Sequence, residues 1–221
     1  MRPYQHYCAV AKSLDVIGER WSLLIVRELL SGPKRYTDLL RDLPGIATDM
    51  LATRLRGLER HGVVARETLP LPAATAVYRL TALGAGLAPT VTELARWGVG
   101  LLGDRTGEAF RSHWLALPLS ASFRPDRAAG TRLTIRFDTP DGTLHARIDD
   151  GELRIPADPV ELADVVVHAG ADALAATVRE PGTAAAAVAD GRIVLTGTPQ
   201  ALAEFAAAFG FDRAATGRND G

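Results

Sequence analysis

Residues 48–60 read TDMLATRLRGLER, and two kinds of side chain share this stretch in a way that suits the reading of duplex DNA. Leu51, Leu55 and Leu58 recur at helical spacing and define a stripe for burial. At about 100° per residue the opposite face collects Asp49, Ala52, Thr53, Arg56 and Arg60. A guanidinium on a rigid helix can donate two parallel hydrogen bonds to one guanine edge, and a hydroxyl beside it can reach a neighbouring base. Thr53 and Arg56 are the best placed for that work. Arg54 falls at the margin of the leucine stripe, where a phosphate or a nearby carboxylate would take it. Catalysis has no comparable carrier. The chain holds no HExxH, no GxSxG and no phosphate-binding glycine loop, and its 5 histidines lack metal-ligand spacing. No catalytic residue, metal or cofactor is expected.

A charged helix face is also what a solvated core helix shows, so the flanking elements decide. Val10, Leu14 and Ile17 fall at i, i+4 and i+7 and predict a first helix that Gly18 ends. Trp21 to Leu30 is apolar nearly all round, as in a helix at the centre of a domain. Ser31-Gly32-Pro33 stops it, residues 37–40 give a short helix, and Leu43-Pro44-Gly45 gives a turn. After the long helix, residues 63–69 and 76–80 read as two strands joined by PLPAAT. Thr81 then caps a helical stretch with Leu83, Leu87, Val91, Leu94 and Leu101 along one side. Gly84, Gly86 and Pro89 predict a kink near its start. This order describes a helix-turn-helix followed by a wing, a device for laying one helix in a DNA groove. The apolar side of the last helix exceeds what so small a domain needs, which predicts a homodimer interface shared with the first helix.

The chain has 221 residues, 47% of them apolar and 23% charged, which suits two globular domains. Its net charge of −1 hides a split. Residues 1–103 hold 13 Lys/Arg against 9 Asp/Glu, whereas residues 104–221 hold 12 against 17. The basic half is the one that carries the helix-turn-helix, as phosphate binding requires. No stretch approaches the ~18 apolar residues of a membrane span, and the start lacks a signal pattern, so a cytoplasmic protein without membrane contact is expected. Cys8 is the single cysteine, which excludes an internal disulfide and a cysteine-rich metal site. It has two readings. A reactive thiolate needs nearby positive charge, which Lys12 one turn on would supply. Packing as a small apolar residue at the head of the first helix is the expected role.

Residues 103–107 (GDRTG) have the composition of a hinge, and residues 110–119 read as a helix. Residues 131–138 alternate, with Leu133, Ile135 and Phe137 on one side. Asp141-Gly142 and Asp150-Gly151 mark hairpin turns and predict an antiparallel meander. ADVVVHA supplies another strand, and residues 172–179 and 183–189 two helices. Residues 192–196 give a final strand, after which Thr198 caps a last helix with Pro199 at its first position.

Residues 7–102 resemble the HxlR-type branch of the MarR-like winged-helix regulators. The motifs that carry the resemblance are DVIG-x-RW-x-LLI-x-REL, the short YTDLL segment, ML-x-x-RL-x-x-LE-x-x-G and VYRLTALG. The resemblance implies a homodimer that binds a palindromic double-stranded operator, usually as a repressor. With it, the candidate DNA-contacting set is Arg35, Thr48, Asp49, Thr53, Arg54, Arg56, Arg60 and Thr75. Two departures stand out. A capping serine and a lysine near the start of the recognition helix are replaced by Ala47, Thr48 and Asp49, and the usual wing arginine by Thr75. Both changes remove contacts to DNA.

Residues 164–211 resemble the C-terminal half of the sterol carrier protein fold. The pattern is strand, helix, small-residue helix, a DG-R-I-x-L-x-G strand and a proline-initiated final helix. That family encloses an apolar tunnel for hydrophobic molecules. The resemblance implies a ligand set of Leu133, Ile135, Phe137, His145, Val165, Val167 and Phe205, with His145 and His168 as polar handles. The same residues are also what a filled core would use. The expected architecture is α+β, with a winged helix-turn-helix domain at 1–103, a smaller-sheet α/β sandwich at 104–213 and a disordered tail at 214–221. The expected function is a transcriptional regulator, not an enzyme, whose operator binding responds to a small hydrophobic ligand. Two alternatives are a redox switch at Cys8, and a lipid carrier or enzyme whose degenerate winged domain only dimerises.

Overall fold

The computed structural model describes residues 3–70, 75–103, 105, 107–156 and 160–211. The tip of the wing and the tail expected at 214–221 lie outside the described residues. The chain divides into two compact units between Val91 and Thr92.

The first unit begins with α1 (Ala9–Ile17) and α2 (Ser22–Leu30). Trp21, at the head of α2, takes a left-handed backbone at φ 78, so the second helix starts one residue later than its apolar run. A two-residue strand, β1 (Lys34–Arg35), leads into α3 (Tyr36–Asp42). Then come α4 (Thr48–Arg60), β2 (Val64–Thr68) and β3 (Ala76–Leu80). The three strands form an antiparallel sheet in the order β1-β3-β2, with Lys34 opposite Tyr78 and Tyr78 opposite Arg66. Ile25, Val26 and Leu29 of α2, Leu39 of α3, and Leu51, Leu55 and Leu58 of α4 are buried with Val63, Val64 and Val77. Three amphipathic helices and one small sheet therefore share a core, and this core fixes the direction of α4.

Thr81 ends the sheet. Its hydroxyl donates to the Gly62 carbonyl at 2.5 Å and accepts from the Gly84 amide at 3.1 Å, capping α5 (Ala82–Ala85). The predicted kink separates α5 from α6 (Ala88–Gly98), which crosses from the first unit into the second.

In the second unit, the helix read at 110–119 is a 3-10 turn, Ser112–Leu115, running into α7 (Ala116–Ser122). The strands are β4 (Arg132–Thr139), β5 (Gly142–Asp149), β6 (Glu152–Arg154), β7 (Val165–Ala169) and β8 (Ile193–Gly197). The β5–β6 hairpin turns through Asp150 and Gly151, both at positive φ, as a tight right-twisted hairpin needs. The sheet order is β6-β5-β4-β7-β8. The meander of β4, β5 and β6 is antiparallel as read, but β7 lies parallel to β4, with Ile135 opposite Val165. Helices α8 (Ala171–Arg179), α9 (Ala184–Ala189) and α10 (Pro199–Phe209) complete the unit. Leu119, Leu174, Ala187, Phe205 and Phe209 of the helices form one apolar cluster with alternate residues of the sheet. The result is a two-layer sandwich whose other sheet face carries polar residues.

Candidate nucleic-acid interface

The stripe of α4 is buried as its spacing predicts, and Thr48, Asp49, Thr53, Arg56 and Arg60 on the far side are exposed. Nη2 of Arg56 donates to Oγ1 of Thr53 at 3.2 Å. The two best candidates for base reading are thus tied together across one helical turn. The phenol of Tyr36, the first residue of α3, donates to the Thr48 carbonyl at 2.6 Å and seats the first turn of α4. Asp49 suits the positive end of the helix dipole, yet it adds negative charge to a surface meant for phosphates.

Three candidates have other engagements. Arg54 takes the carboxylate option. Its Nη2 lies 2.8 Å from Oε2 of Glu19, its Nε donates to the Arg20 carbonyl at 3.2 Å, and it is half-buried. These bonds tie α4 to the α1–α2 connection. The Thr75 carbonyl accepts the Leu69 amide at 2.9 Å and closes the wing hairpin. Arg35 stands exposed at the head of α3, where its amide donates to Oδ2 of Asp38 at 3.3 Å.

Beneath the interface lies a charge network that residue patterns alone had not marked. Glu28 of α2 is fully buried inside an apolar helix. Nζ of Lys34 lies 3.1 Å from Oε2 of Glu28 and 2.7 Å from Oδ2 of Asp42. Arg27 pairs with Glu28 at 2.7 Å, and Arg41 with Asp42 at 3.1 Å. Burial pushes the Asp42 carboxyl up, but hydrogen bonds from Lys34 and Arg41 outweigh it and hold the group below the ordinary aspartate value. Burial lowers Arg27 despite the raising effect of Glu28. The lysine bridges the end of α2 to the end of α3.

Cys8 departs from its expected packing role. It is exposed, at the position that caps α1, and its backbone is extended. Val10 and Leu14 are also exposed, whereas Ala11 and Ile17 carry the buried side of α1.

The proposed ligand residues of the second unit do not converge on a cavity. Leu133, Ile135, Phe137, Val165, Val167 and Phe205 are buried in the apolar cluster, packed against one another and against the helices. The rings of Phe137 and Phe205 stand 6.3 Å apart, and those of Phe205 and Phe209 5.3 Å apart. His145 is on the opposite face of the sheet, half-buried, with its Nδ1 buried and without a hydrogen-bond partner among the described residues. His168 also lies on that face, 3.4 Å from Asp138. Alternation in a strand sends odd and even residues to opposite faces, so His145 could not join Leu144 and Ala146. A concavity of about 420 Å³ in this unit is bordered by Arg132, Thr134, Arg147, Asp149 and Asp164 together with Leu133 and Ile148, so of the expected ligand residues only Leu133 borders it.

A winged helix-turn-helix presenting an arginine and threonine on the exposed face of its second long helix defines a DNA-binding protein of the MarR-like fold. Residues 16–105 match the HxlR-like helix-turn-helix family. The HTH-type transcriptional regulator sll1512 of Synechocystis is 37% identical over 93 residues, which cover 42% of this chain and 69% of that one. YvaP of Bacillus subtilis, also an HTH-type transcriptional regulator, is 37% identical over 39% of this chain and 80% of its own. The HTH-type transcriptional regulator YodB of the same organism is 35% identical over 38% of this chain and 76% of its own. The chain belongs to the HxlR-like family of transcriptional regulators. Residues 119–213 match a different family, the alkyl sulfatase C-terminal domain, where a sterol carrier protein was expected. No helix among the described residues is long and apolar enough to cross a membrane.

Proposed function

We propose that this regulator is a homodimeric repressor that reads a palindromic operator through α4, and that its second unit modulates that reading. The observation that carries the DNA reading is the exposed face of α4, where Thr53 and Arg56 are bonded to each other and to nothing in the core. Support for a dimer comes from apolar side chains left bare in the single chain. On α1 these are Val10 and Leu14, and on α6 and the turn after it Leu94, Trp97 and Leu101, with Trp97 69% and Leu101 70% exposed. Selection of duplexes from a random-sequence pool tests the reading. Recovery of a two-fold symmetric site supports it, and retention of no duplex overturns it.

Modulation by the second unit rests on α6, which begins in one unit and ends in the other. Its end is held within the second unit, since Nη2 of Arg96 donates to the Ala121 carbonyl at 2.9 Å and Nη1 of Arg179 to that of Leu102 at 2.8 Å. The modulator proposed is a small hydrophobic effector, which would have to open the packed aromatic centre around Phe205. It would enter by displacing Phe211, which is only partly buried against that centre. Such a molecule alters operator affinity only if it binds the two states of the protein unequally. Thermal-shift screening of hydrophobic and aromatic compounds on the full chain tests this. Stabilisation accompanied by a change in operator affinity supports it, and a uniformly flat screen reduces the unit to a protein-interaction module. We assign no enzymatic activity to the chain.

One observation favours a second reading, a thiol switch. Cys8 is exposed at the head of α1, the helix whose bare residues we place in the dimer. Peroxide release of wild type but not of Cys8→Ser from DNA would establish it, and equal release of both would remove it.

A further inference from the structure

The first unit holds a concavity of about 310 Å³ between α1 and α4, and its two walls carry opposite charge. Asp15 of α1 and Glu19 of the α1–α2 connection stand on one side, Arg54 and Arg60 of α4 on the other. Glu19 and Arg54 answer each other at 2.8 Å. Asp15 and Arg60 are not matched in this way. Oδ1 of Asp15 accepts the Tyr4 amide at 3.0 Å, while Oδ2 has no hydrogen-bond partner among the described residues. Arg60 is exposed, with neither a hydrogen-bond nor an ion-pair partner for its side chain among them. Two further residues mark a site. Ser22 borders the concavity and is 2% exposed, yet its hydroxyl has no hydrogen-bond partner among the described residues, an arrangement that folding disfavours. Gly57 lies in the middle of α4, where glycine is less stable than alanine. No contact requires it there, since a β-carbon built on Gly57 meets nothing within 4 Å. Its neighbours one turn away, Thr53, Arg54, Arg60 and His61, all border the concavity, so a side chain at this position would grow into it. The glycine keeps the space open.

We infer that this concavity binds a small zwitterion of amino-acid size, with its ammonium on Asp15 and its carboxylate on Arg60. Small-molecule sites begin at about 300 Å³, so the volume admits a small metabolite and excludes a lipid chain. The opposed walls set the charge of the ligand. A simple carboxylate would leave Asp15 unmatched, a simple amine would leave Arg60 so, and a molecule bearing both groups gains a charge-assisted hydrogen bond at each end. The Ser22 hydroxyl offers a third, neutral bond. This site is separate from the aromatic centre of the second unit, and its existence does not depend on what α4 reads.

The test is isothermal titration of the full chain with L-serine, L-glutamine, L-leucine, L-phenylalanine and L-arginine, each beside its N-acetyl and its amide derivative. The derivatives keep the side chain and remove one charge. At least one free amino acid is expected to bind, and both of its derivatives to bind about tenfold more weakly or worse. Asp15→Asn keeps an acceptor for the Tyr4 amide but removes the charge, and should weaken the same amino acid by a similar factor. Gly57→Leu should abolish binding while melting at or above wild type, since leucine favours the helix. That pair of readouts separates a filled site from a damaged fold, and if Gly57→Leu melts lower, Asp15→Asn alone decides. The inference is overturned if none of the amino acids binds, if an N-acetyl or amide form binds as tightly as its parent, or if Asp15→Asn or Gly57→Leu keeps wild-type affinity.

Discussion

Gly84 lies so close to Val63 that a β-carbon built on it would fall 2.1 Å from the Val63 carbonyl oxygen. That oxygen already accepts the Thr81 amide at 3.1 Å. The helix after the wing is thereby brought against the strand that opens it, and only a glycine permits the approach. In the sequence Gly84 looks like a weak point in a helix. In the structure it is the condition for seating α5. Gly84→Ala must push α5 away, and destabilisation of about 1–3 kcal/mol is expected by chemical denaturation. A variant as stable as wild type would show that α5 relaxes freely.

Arg54 and Arg56 are two residues apart and should behave oppositely. Arg56→Ala is expected to cost about 1–3 kcal/mol on the operator and to relax its sequence preference, with stability unchanged. Arg54→Ala loses the bond to Glu19 and should lower the melting temperature, while sequence preference stays as in wild type. The pairing would be reversed if selection with Arg54→Ala recovered a different site.

The Glu28–Lys34–Asp42 network makes acid sensitivity a property of the first unit. Asp42 is depressed in the folded chain, so its contribution is present above the ordinary aspartate value and is lost as pH falls through the lower native value. Unfolding of wild type should steepen below about pH 4. Lys34→Met removes the cation that Glu28 and Asp42 share, leaving each the arginine beside it, and should cost about 1.5–3 kcal/mol at neutral pH. Asp42→Asn removes the depressed group, and its stability should fall less between pH 5 and 3 than that of wild type. Parallel curves for the two proteins would show that other carboxylates govern the acid limb.

Leu94→Glu places a carboxylate in the surface proposed to join two copies. Sedimentation should then report monomers, and binding to a two-fold symmetric site should collapse to the weaker affinity of a single half. Leu94 is already 47% exposed in the single chain, so the fold should survive the change. Persistence of the wild-type mass would move the interface elsewhere.

Local signals carried most of the secondary structure. The span Thr48–Arg60 is readable from its leucines, and the last helix from Thr198 and Pro199, because caps and periodicity act within a turn or two. What was illegible depends on partners distant in the chain. β1 is two residues long and exists because Lys34 and Arg35 pair with Tyr78 and Val77. The parallel β4–β7 pair carries no local mark, since a buried parallel strand and a buried antiparallel one can share the same apolar run. Spacing located an apolar side on α1, but it could not tell that Val10 and Leu14 would lack cover within the chain. Alternation likewise sent Leu133, Ile135 and Phe137 to one face without distinguishing a tunnel wall from a filled core. Arg54 sat at the margin of the stripe, and its bond to Glu19 of the α1–α2 connection lies beyond the reach of local spacing.

The parallel pairing of β4 with β7 also sets an order of events during synthesis. β4, β5 and β6 are consecutive hairpins that can close as they leave the ribosome, within microseconds of becoming available. Their apolar face then waits. β7 must be translated before Ile135 finds Val165, and α10 must follow before Phe205 and Phe209 cover the sheet. Until then a nascent chain displays Leu133, Ile135, Phe137, Leu144 and Ile148 side by side beside an open strand edge, the form most prone to pair with another chain. The first unit has a wait of its own, since β1 must hold until β3 is made and Lys34 finds Tyr78, but all of its strands precede β4. A chain stopped after Arg154 should therefore carry a folded winged unit on an aggregating tail.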